Sequence, residues 1–277
     1  MAKVSSLRSY SRGAAAVVTG AGSGIGRSFA CELARRNSSV ICVDLHEDRA
    51  EQTAALVEQL GGRGIAYRCD VGDQAQFTEL AEQADSLLGR PTTLVVNNAG
   101  VGVGGRIGEV SLEDWHWCVD VNLWGVIHGC HFFGPRFREA GHGAIINTAS
   151  AAGFAAAPEM TTYNVTKSAV LSLSETLAAE LTGSGVHVSV LCPTVVPTNI
   201  VNESRVSSEL KGFAAKAMEK WAFTDSGEVA RKTLDACDRN QLYVLPQWDG
   251  RLAWRFKRVA PASYARVLGL GYRLAAG

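Results

Sequence analysis

A tyrosine and a lysine stand four residues apart in the segment Tyr163-Asn164-Val165-Thr166-Lys167. On a helix, this spacing brings the phenol and the ammonium group to one face. A tyrosine ordinarily ionises near pH ~10, too high for a base at neutral pH, but a positive charge beside it lowers its pKa. The pair therefore predicts general acid–base chemistry, although the same spacing is common by chance.

The segment before this helix favours the functional interpretation. An apolar run at residues 143–148 has the pattern of a buried strand, and Ala149 and Ser150 follow it directly. In a doubly wound parallel sheet, ligands bind outside the carboxyl ends of the strands. The tyrosine and the lysine are therefore expected close to the ligand-binding edge of a sheet.

A glycine-rich segment, Thr19-Gly20-Ala21-Gly22-Ser23-Gly24-Ile25-Gly26-Arg27, joins the first predicted strand to the first predicted helix. Glycines let the chain turn tightly and bring backbone N–H groups against a pyrophosphate at a helix N-terminus. A flexible turn is the alternative for such a segment taken alone. The second predicted strand, however, ends at Asp44, whose carboxylate can accept hydrogen bonds from both hydroxyls of an adenosine ribose. Together the two features predict a dinucleotide-binding site.

The same acid predicts which dinucleotide is bound. The negative charge of Asp44 would repel a 2′-phosphate. The alternative interpretation is that Asp44 is only a surface acid at the end of a strand. No arginine or lysine occupies position 23, 45 or 46, so no cation is expected to neutralise such a phosphate. The sequence therefore favours NAD over NADP. A second glycine run, residues 100–105, opens no helix and is expected to be a mobile loop over the site.

Short apolar runs alternate with helix-length segments along the chain. The runs are continuously apolar, as expected for strands of a parallel sheet that is covered on both faces. They predict one Rossmann-like, doubly wound α/β domain with a seven-stranded parallel sheet and helices on both faces. An eightfold barrel would need an eighth strand and would not explain the glycine loop. The predicted strands are 14–19, 39–44, 65–70, 92–97, 143–148, 186–191 and 242–245, and the predicted helices are 26–37, 47–60, 73–88, 114–139, 161–181 and 226–238.

Composition excludes several classes of protein. Of the 277 residues, 47% are hydrophobic and 19% are charged, which excludes a disordered chain and allows a sizeable core. Lys plus Arg and Asp plus Glu both number 27, which gives no electrostatic case for nucleic-acid binding. The seven cysteines occur singly and are expected to be reduced thiols of a cytoplasmic protein. Neither a signal peptide nor a membrane span is expected.

No repeat or linker divides the chain into several domains. We expect an N-terminal extension at residues 1–13, a single domain at 14–250 that includes a substrate loop at 194–223, and a tail at 251–277. The tail carries six cations and no acid, interleaved with aromatic and aliphatic residues. Such a segment can lie on an anionic membrane, cover a neighbouring subunit or close the substrate cleft, and all three remain open here.

In their order and spacing, these motifs resemble those of the short-chain dehydrogenase/reductase family in its compact single-domain form. The resemblance covers residues 14–245 and implies hydride transfer between a nicotinamide cofactor and the carbon of an alcohol or ketone. The matching elements are TGxxxGxG at Thr19–Gly26, Asp44, the pair Asp70-Val71, NNAG at Asn97–Gly100, the helical Asn122, Ser150, Tyr163 with Lys167, and the stretch that contains Pro193, Val196 and Thr198.

The resemblance implies a role for four side chains in the reaction. Tyr163 would be the general acid–base that exchanges a proton with the reacting oxygen. Lys167 would hold the nicotinamide ribose and lower the pKa of the tyrosine. Ser150 would hydrogen-bond the reacting oxygen, and Asn122 would position a water that links the lysine to solvent.

The resemblance also implies where the cofactor lies. Adenine would contact Asp70 and Val71, and the carboxamide would be held by the backbone near Pro193 and Val196 and by the Thr198 hydroxyl. One departure is Thr194, where the family commonly carries glycine. Threonine does not readily adopt a positive φ, so the local turn is expected to differ. The predicted cofactor-binding residues are Gly20, Ser23, Gly24, Ile25, Gly26, Asp44, Leu45, Asp70, Val71, Asn98, Ala99, Gly100, Tyr163, Lys167, Pro193, Val196 and Thr198.

Three loops, residues 101–110, 151–160 and 194–223, are expected to line the substrate pocket. Their side chains are mostly small or apolar, with Arg106 and Arg205 nearby, which favours a hydrophobic secondary alcohol or ketone. No metal site is expected, because His128 and His131 have no further ligand cluster and fit packing or a subunit contact better. The apolar candidates are Val101, Val103, Phe154, Ala155–Ala157, Met160, Ile200, Phe213, Met218, Trp221 and Phe223.

We therefore expect an NAD-dependent oxidoreductase that works in the oxidative direction. Oligomers are frequent in the family, so a homodimer or homotetramer is expected. Two other classes of function remain open. One is a catalytically silent cofactor-binding scaffold, and the other is a peripheral membrane or subunit-interaction protein with secondary activity.

Overall fold

Seven strands form one parallel sheet in the computed structural model, which describes residues 9–200, 204–206, 212 and 224–276. Their order across the sheet is β3-β2-β1-β4-β5-β6-β7, and every neighbouring pair is parallel. The predicted doubly wound, seven-stranded Rossmann-like fold is confirmed. The strands are β1 Ala15–Thr19, β2 Ser39–Asp44, β3 Arg63–Arg68, β4 Leu94–Asn97, β5 Gly143–Thr148, β6 Val186–Leu191 and β7 Tyr243–Val244.

Helices cover both faces of this sheet, and the strands alternate their side chains between two buried clusters. Val18 of β1 packs with Phe29 and Leu33 on one face, whereas Val17 packs with Phe77 and Phe133 on the other. The helices are α1 Gly24–Arg35, α2 Glu47–Gln59, α3 Gln74–Leu88, α4 Leu112–Val119, α5 Gly125–Ala140, α6 Ala152–Ala155, α7 Thr161–Glu180, α8 Ser226–Asp238, α9 Trp248–Val259 and α10 Pro261–Ala276.

The predicted strand at 65–70 is displaced by two residues in the structure. β3 begins at Arg63 and ends at Arg68, paired with β2 from Ser39 to Asp44. As an edge strand it is only partly buried, so its apolar pattern does not mark its ends. The predicted strand at 92–97 begins two residues later than expected, at Leu94.

The predicted continuous helix at 114–139 is interrupted. A π-helical turn over Asp120–Trp124 separates α4 from α5 and contains the buried Asn122. Single π turns inside α-helices occur often at functional sites, because they displace one side chain from the regular helical path. This turn aims Asn122 at the loop that follows β4.

The two ends of the described chain both pack on the domain. Near the N-terminus, Ser9, Tyr10 and Ser11 hydrogen-bond the carboxylate of Asp238 at the end of α8. Near the C-terminus, the predicted boundary between residues 250 and 251 falls inside α9. Within the described ranges, no helix is both long enough and apolar enough to span a membrane.

Candidate active site

Lys167 anchors the end of β5 to helix α7. Its Nζ donates a hydrogen bond of 2.9 Å to the carbonyl oxygen of Thr148, the last residue of β5. The side chain is almost fully buried, and its ammonium lies 5.7 Å from the centre of the Tyr163 ring. The predicted pair thus shares one face of α7, at the carboxyl edge of the sheet.

Burial sets the pKa values of this pair. It raises the pKa of Tyr163 to about 12, while a hydrogen bond with the Ser150 side chain acts in the opposite direction. This rise is opposite to the lowering that we expected from Lys167, whose ammonium is engaged with Thr148. Burial also lowers the pKa of Lys167 to about 8, because a charged ammonium is poorly solvated there.

Ser150 lies between the tyrosine and the loop after β6. Its hydroxyl donates to the carbonyl oxygen of Pro193 at 3.4 Å and accepts from the N–H of Ala152 at 3.1 Å. The hydroxyl also bonds to Tyr163. The structure therefore brings the predicted serine, tyrosine and lysine together.

Asn122 holds the loop after β4 rather than pointing at the tyrosine. Its Oδ1 accepts from the N–H of Val101 at 2.7 Å, and its Nδ2 donates to the Val101 carbonyl at 2.9 Å. A Cβ built on Gly100 would lie 3.1 Å from this Oδ1 and 3.4 Å from Nζ of Lys167. Glycine at position 100 thus lets the backbone pass close to both groups.

Two residues that the sequence reasoning missed complete this cluster. Nδ2 of Asn122 donates to Thr166 Oγ1 at 3.3 Å and to Cys118 Sγ at 3.2 Å, and the Thr166 hydroxyl donates to the carbonyl of Tyr163. Burial raises the pKa of the Cys118 thiol. The sequence spacing could have indicated both residues, since Cys118 precedes Asn122 by one helical turn and Thr166 adjoins Lys167.

The glycine loop packs against the loop after β4. The Thr19 hydroxyl accepts hydrogen bonds from the N–H groups of Asn98 and Ala99, at 2.9 and 3.1 Å. Gly20 has a φ of +63°, and a Cβ there would lie 2.8 Å from Cα of Ala99. A Cβ on Gly26 would lie 2.0 Å from the carbonyl oxygen of Gly20. No larger side chain fits at either glycine, so the tight turn needs both.

The start of α1 fits an anionic ligand. Ser23 occupies the N-cap but its side chain makes no capping hydrogen bond, and the first turn carries no acid. Gly24 faces Thr198, to which a Cβ would come within 3.0 Å. A cavity of about 460 Å³ opens at this point and is lined by Gly24, Arg27, Ser28, Pro197, Thr198, Asn199 and Ser226. Helix N-termini attract phosphate, so these residues fit a dinucleotide cofactor.

Asp44, the last residue of β2, lies beside Gly22 of the glycine loop. It accepts hydrogen bonds from the N–H of Gly22 at 2.8 Å and from that of His46 at 3.0 Å. A Cβ built on Gly22 would lie 2.6 Å from Oδ2 of Asp44 and 2.7 Å from Cβ of Arg49. Arg27 also reaches this loop and bonds to the Gly22 carbonyl.

Positions 23, 45 and 46 carry no arginine or lysine, but two arginines further along the chain lie beside the glycine loop. Arg27 bonds to the Gly22 carbonyl, and Cβ of Arg49, in the first turn of α2, lies close to Gly22. Leu45, which follows the acid, is half exposed.

The predicted adenine and carboxamide contacts lie at two further points of the same edge. Asp70 Oδ1 accepts from the N–H of Gly72 at 2.9 Å, and the Val71 carbonyl bonds to Nδ1 of His128 at 2.9 Å. Val196 is buried, and the carbonyl of Pro193 accepts from the N–H of Ala151 at 2.8 Å. Ile25 packs on the core cluster below the glycine loop.

Thr194 has a negative φ, so the turn here differs from one built around a left-handed glycine. Its N–H donates to Oε1 of Gln247 at 3.2 Å, and its hydroxyl donates to Oδ1 of Asp249 at 3.2 Å. A Cβ on Gly250 would lie 2.9 Å from Cγ2 of Thr194. The threonine thus attaches the loop after β6 to the start of α9.

Arg106 and Arg205, which lie near the predicted substrate loops, are both paired with acids. Arg106 Nε lies 3.2 Å from the Glu159 carboxylate, and Arg205 Nη1 lies 2.8 Å from that of Asp114. Val103 and Phe154, two of the apolar candidates for the substrate pocket, are buried. Phe213, Met218, Trp221 and Phe223 lie outside the described residues.

The two neighbouring histidines differ in their surroundings. His128 is buried, bonds to the Val71 carbonyl and contacts the rings of Phe77 and Trp124, as predicted for a packing residue. His131 is exposed and contacts Phe132 edge-on. Within the described ranges, no group of three or more potential metal ligands comes together.

Comparisons with known sequences agree with this geometry. The family model described as short chain dehydrogenase matches residues 14–209. "D-threitol dehydrogenase" of Mycolicibacterium smegmatis is 40% identical over 191 residues, which make up 68% of this chain and 72% of that protein. "Cyclohexanol dehydrogenase" of an Acinetobacter species is 32% identical over 71% of this chain and 78% of that protein. "Probable oxidoreductase EphD" of Mycobacterium tuberculosis is 38% identical over 72% of this chain, but the match spans only 34% of EphD.

Solved structures share the fold. A short-chain dehydrogenase/reductase of Burkholderia phymatum in complex with NAD superposes with a TM-score of 0.84 at 34% identity, covering 89% of this chain and 93% of that one. A short-chain dehydrogenase of Sphingobium yanoikuyae in complex with NADPH superposes with a TM-score of 0.76 at 26% identity, covering 91% and 94%. Similar chains thus bind either dinucleotide.

Proposed function

Because the chain belongs to the short-chain dehydrogenase/reductase family, we propose that it is an NAD-dependent oxidoreductase that interconverts a secondary alcohol and its ketone. The observation that carries this proposal is the cluster of Ser150, Tyr163 and Lys167 at the carboxyl edge of the sheet. A silent scaffold would need none of these groups to converge.

The residues of the chain have separate tasks in this reaction. Tyr163 takes the proton from the alcohol oxygen, or returns it to the carbonyl oxygen in the reverse direction. Ser150 hydrogen-bonds the same oxygen and favours the ionised phenol. Lys167 brings a positive charge to the site, fixed by its bond to Thr148, and Asn122 keeps the loop after β4 in position.

The glycine loop, the start of α1 and Asp44 would hold the cofactor. A bound nicotinamide cofactor would supply the hydride acceptor and, in its oxidised form, a positive charge in the site. Two features of the chain then act on the pKa of Tyr163: its burial raises that pKa, and the hydrogen bond from Ser150 lowers it. A further positive charge close to the phenol would lower this pKa.

The preference for NAD rests on the carboxylate of Asp44. Its charge opposes a 2′-phosphate, while both its oxygens are held in place by backbone N–H groups. Arg49 and Arg27 are the groups that would oppose this preference, because both contact the same loop. The family resemblance implies a cellular excess of oxidised NAD. An NAD-dependent enzyme would therefore work mainly in the oxidative direction.

An apolar substrate fits the paired charges of the surrounding loops. Neither Arg106 nor Arg205 is without an acid partner, so neither offers an unpaired cation to a phosphate or carboxylate. We propose a hydrophobic secondary alcohol, and a homodimer or homotetramer as the working assembly. The seven free cysteines, of which six are buried, favour a reducing compartment such as the cytoplasm.

Equilibrium binding of NADH and NADPH, followed by turnover of a panel of alcohols, tests this proposal. We expect NADH to bind at least about tenfold more tightly, a difference of about 1.4 kcal/mol. We expect cyclic and aliphatic secondary alcohols to be oxidised and charged sugars to be poor substrates. Turnover of charged sugars alone would overturn the substrate class, and equal binding of both dinucleotides would overturn the cofactor preference.

A further inference from the structure

Helices α9 and α10 form a C-terminal hairpin over residues 248–276, and each helix exposes an apolar stripe. Along a helix, residues separated by three or four positions share a face. The exposed fractions of the side chains range from 40% for Phe256 to 86% for Val259 and Leu274. The stripe on α9 consists of Trp248, Leu252, Phe256 and Val259, and the stripe on α10 consists of Val267, Leu270 and Leu274.

The two stripes meet at one apolar groove. A cavity of about 310 Å³ lies between the helices and is lined from both stripes, by Trp248, Leu252, Phe256 and Val267 among others. The described part of the chain leaves this face in contact with solvent. Seven large apolar side chains exposed on one hairpin exceed the scattered exposure that is normal on a protein surface.

The charges of the hairpin are mostly positive. From residue 248 to residue 276 there are six cations and one acid. That acid, Asp249, lines the groove and accepts a hydrogen bond from the Thr194 hydroxyl. On α9, Arg251 and Arg255 stand next to the apolar stripe, one helical turn apart, and both are exposed. Arg266 and Arg273 flank the stripe on α10 in the same way.

We propose that the C-terminal hairpin is a docking surface for the headgroups and outer acyl region of an anionic lipid bilayer. Apolar side chains flanked by arginines are the pattern of helices that lie in the plane of a membrane interface. Each cation near such a surface gains from its negative potential, and six cations against one acid leave the hairpin with a net positive charge.

The alternative occupant, a second copy of the same face, fits the charges less well. A symmetric contact places the same patch on both subunits. Two such hairpins would together carry twelve cations and only two acids, so their contact would be electrostatically unfavourable. An anionic bilayer has the complementary charge.

The hairpin is fixed to the loops that surround the candidate active site. Trp254 packs edge-on against Phe154, with ring centres 4.9 Å apart, and Lys257 bonds to the Phe154 carbonyl. Tyr272 donates to the Glu159 carboxylate at 2.6 Å. A bilayer bound to the outer face of the hairpin would therefore lie next to the loop at 151–160.

Vesicle co-sedimentation of the full-length protein tests the proposal. The probes are vesicles of phosphatidylcholine alone and of phosphatidylcholine mixed with phosphatidylglycerol. We expect binding to the mixed vesicles only, weakened at high salt. Two variants should each lower this binding at least about tenfold. Val259→Asp with Leu274→Asp places charge on the most exposed apolar positions, and Arg266→Gln with Arg273→Gln removes two cations.

Matched substitutions outside the hairpin serve as controls. Leu112→Asp changes a leucine that is 76% exposed on α4, and Arg231→Gln with Arg239→Gln removes two exposed cations from α8 and its C-terminal cap. Both should bind vesicles as the unchanged protein does, and all variants should keep its unfolding temperature. Equal binding by hairpin variants and controls would overturn the proposal. The proposal would also be overturned if the protein bound no vesicles and formed an oligomer that only the Val259→Asp, Leu274→Asp variant dissociates. In that case the occupant of the groove would be a second copy of the chain.

Discussion

The ammonium of Lys167 donates a 2.9 Å hydrogen bond to the carbonyl oxygen of Thr148. This bond joins the helix that carries Tyr163 to the end of β5, and it holds the positive charge at a fixed distance from the phenol. Burial raises the pKa of Tyr163 to about 12, further from neutral pH than its ordinary value. Ser150 is the neighbour whose hydrogen bond works against that burial.

We therefore expect Ser150→Ala to change the pH dependence of alcohol oxidation as well as its rate. Loss of the hydrogen bond raises the pKa of Tyr163 further, so the phenolate fraction at a given pH falls. Below the pKa of Tyr163 in the cofactor-bound enzyme the deficit should be constant, and it should narrow as the pH rises through that pKa. The measurement is kcat/KM against pH for the unchanged enzyme and the variant. Ser150→Thr, which keeps a hydroxyl, is the control, and a pH profile whose tyrosine pKa is the same in the unchanged enzyme and in Ser150→Ala would contradict this role.

Replacing Asp44 should change the choice of cofactor. Asp44→Asn removes the charge that repels a 2′-phosphate while keeping an oxygen for the N–H of Gly22. We expect the ratio of NADPH to NADH affinity to rise at least about tenfold, or about 1.4 kcal/mol. Binding titrations of the two reduced dinucleotides measure this ratio.

A second substitution identifies the group that then accepts the phosphate. In the Asp44→Asn background, Arg49→Gln should lower NADPH binding and leave NADH binding unchanged, because Arg49 borders Gly22. An unchanged NADPH affinity would exclude Arg49 and direct attention to Arg27.

Two glycines on α5 should respond in opposite ways to alanine. A Cβ on Gly129 would lie 1.9 Å from Oδ1 of the buried Asn97, so Gly129→Ala should destabilise the fold by about 1–3 kcal/mol. A Cβ on Gly134 meets nothing closer than 3.9 Å, so Gly134→Ala should stabilise it by about 0.5–1 kcal/mol through helix propensity. Urea unfolding measures both, and the same sign for both variants would contradict the close packing at Asn97.

Thr194→Val should loosen α9 from the domain. The change removes the hydrogen bond to Asp249 and is expected to cost about 1 kcal/mol, which lowers the unfolding temperature by about 2–4 °C. A double-mutant cycle with Asp249→Ala isolates the pair. If the two effects simply add, the contact contributes nothing measurable.

The sheet was predictable from the sequence because its strands are buried on both faces and therefore read as continuous apolar runs. The ends of β3 were not, since this edge strand is only partly buried. The π turn at Asp120–Trp124 was also missed, because none of its residues interrupts a helical pattern. Its position depends on contacts that Asn122 makes with a loop 21 residues earlier.

In the candidate site, too, some contacts were predictable from the sequence and others were not. Tyr163 and Lys167 could be paired from sequence because one helix carries both. The partners of Arg106 and Arg205 could not, since Glu159 and Asp114 stand 53 and 91 positions away. The pKa of Tyr163 also depends on burial by elements far apart in the chain, which the local spacing to Lys167 does not report.

The most direct test of the proposed chemistry is a comparison of Tyr163→Phe with the unchanged enzyme. The measurement is kcat for oxidation of a secondary alcohol together with the dissociation constant for NADH in the same preparation. We predict a loss of kcat between about 100-fold and about 10,000-fold with NADH binding unchanged, because only proton transfer is removed. A variant that keeps the kcat of the unchanged enzyme while binding NADH normally would contradict the role of Tyr163 as the general acid–base.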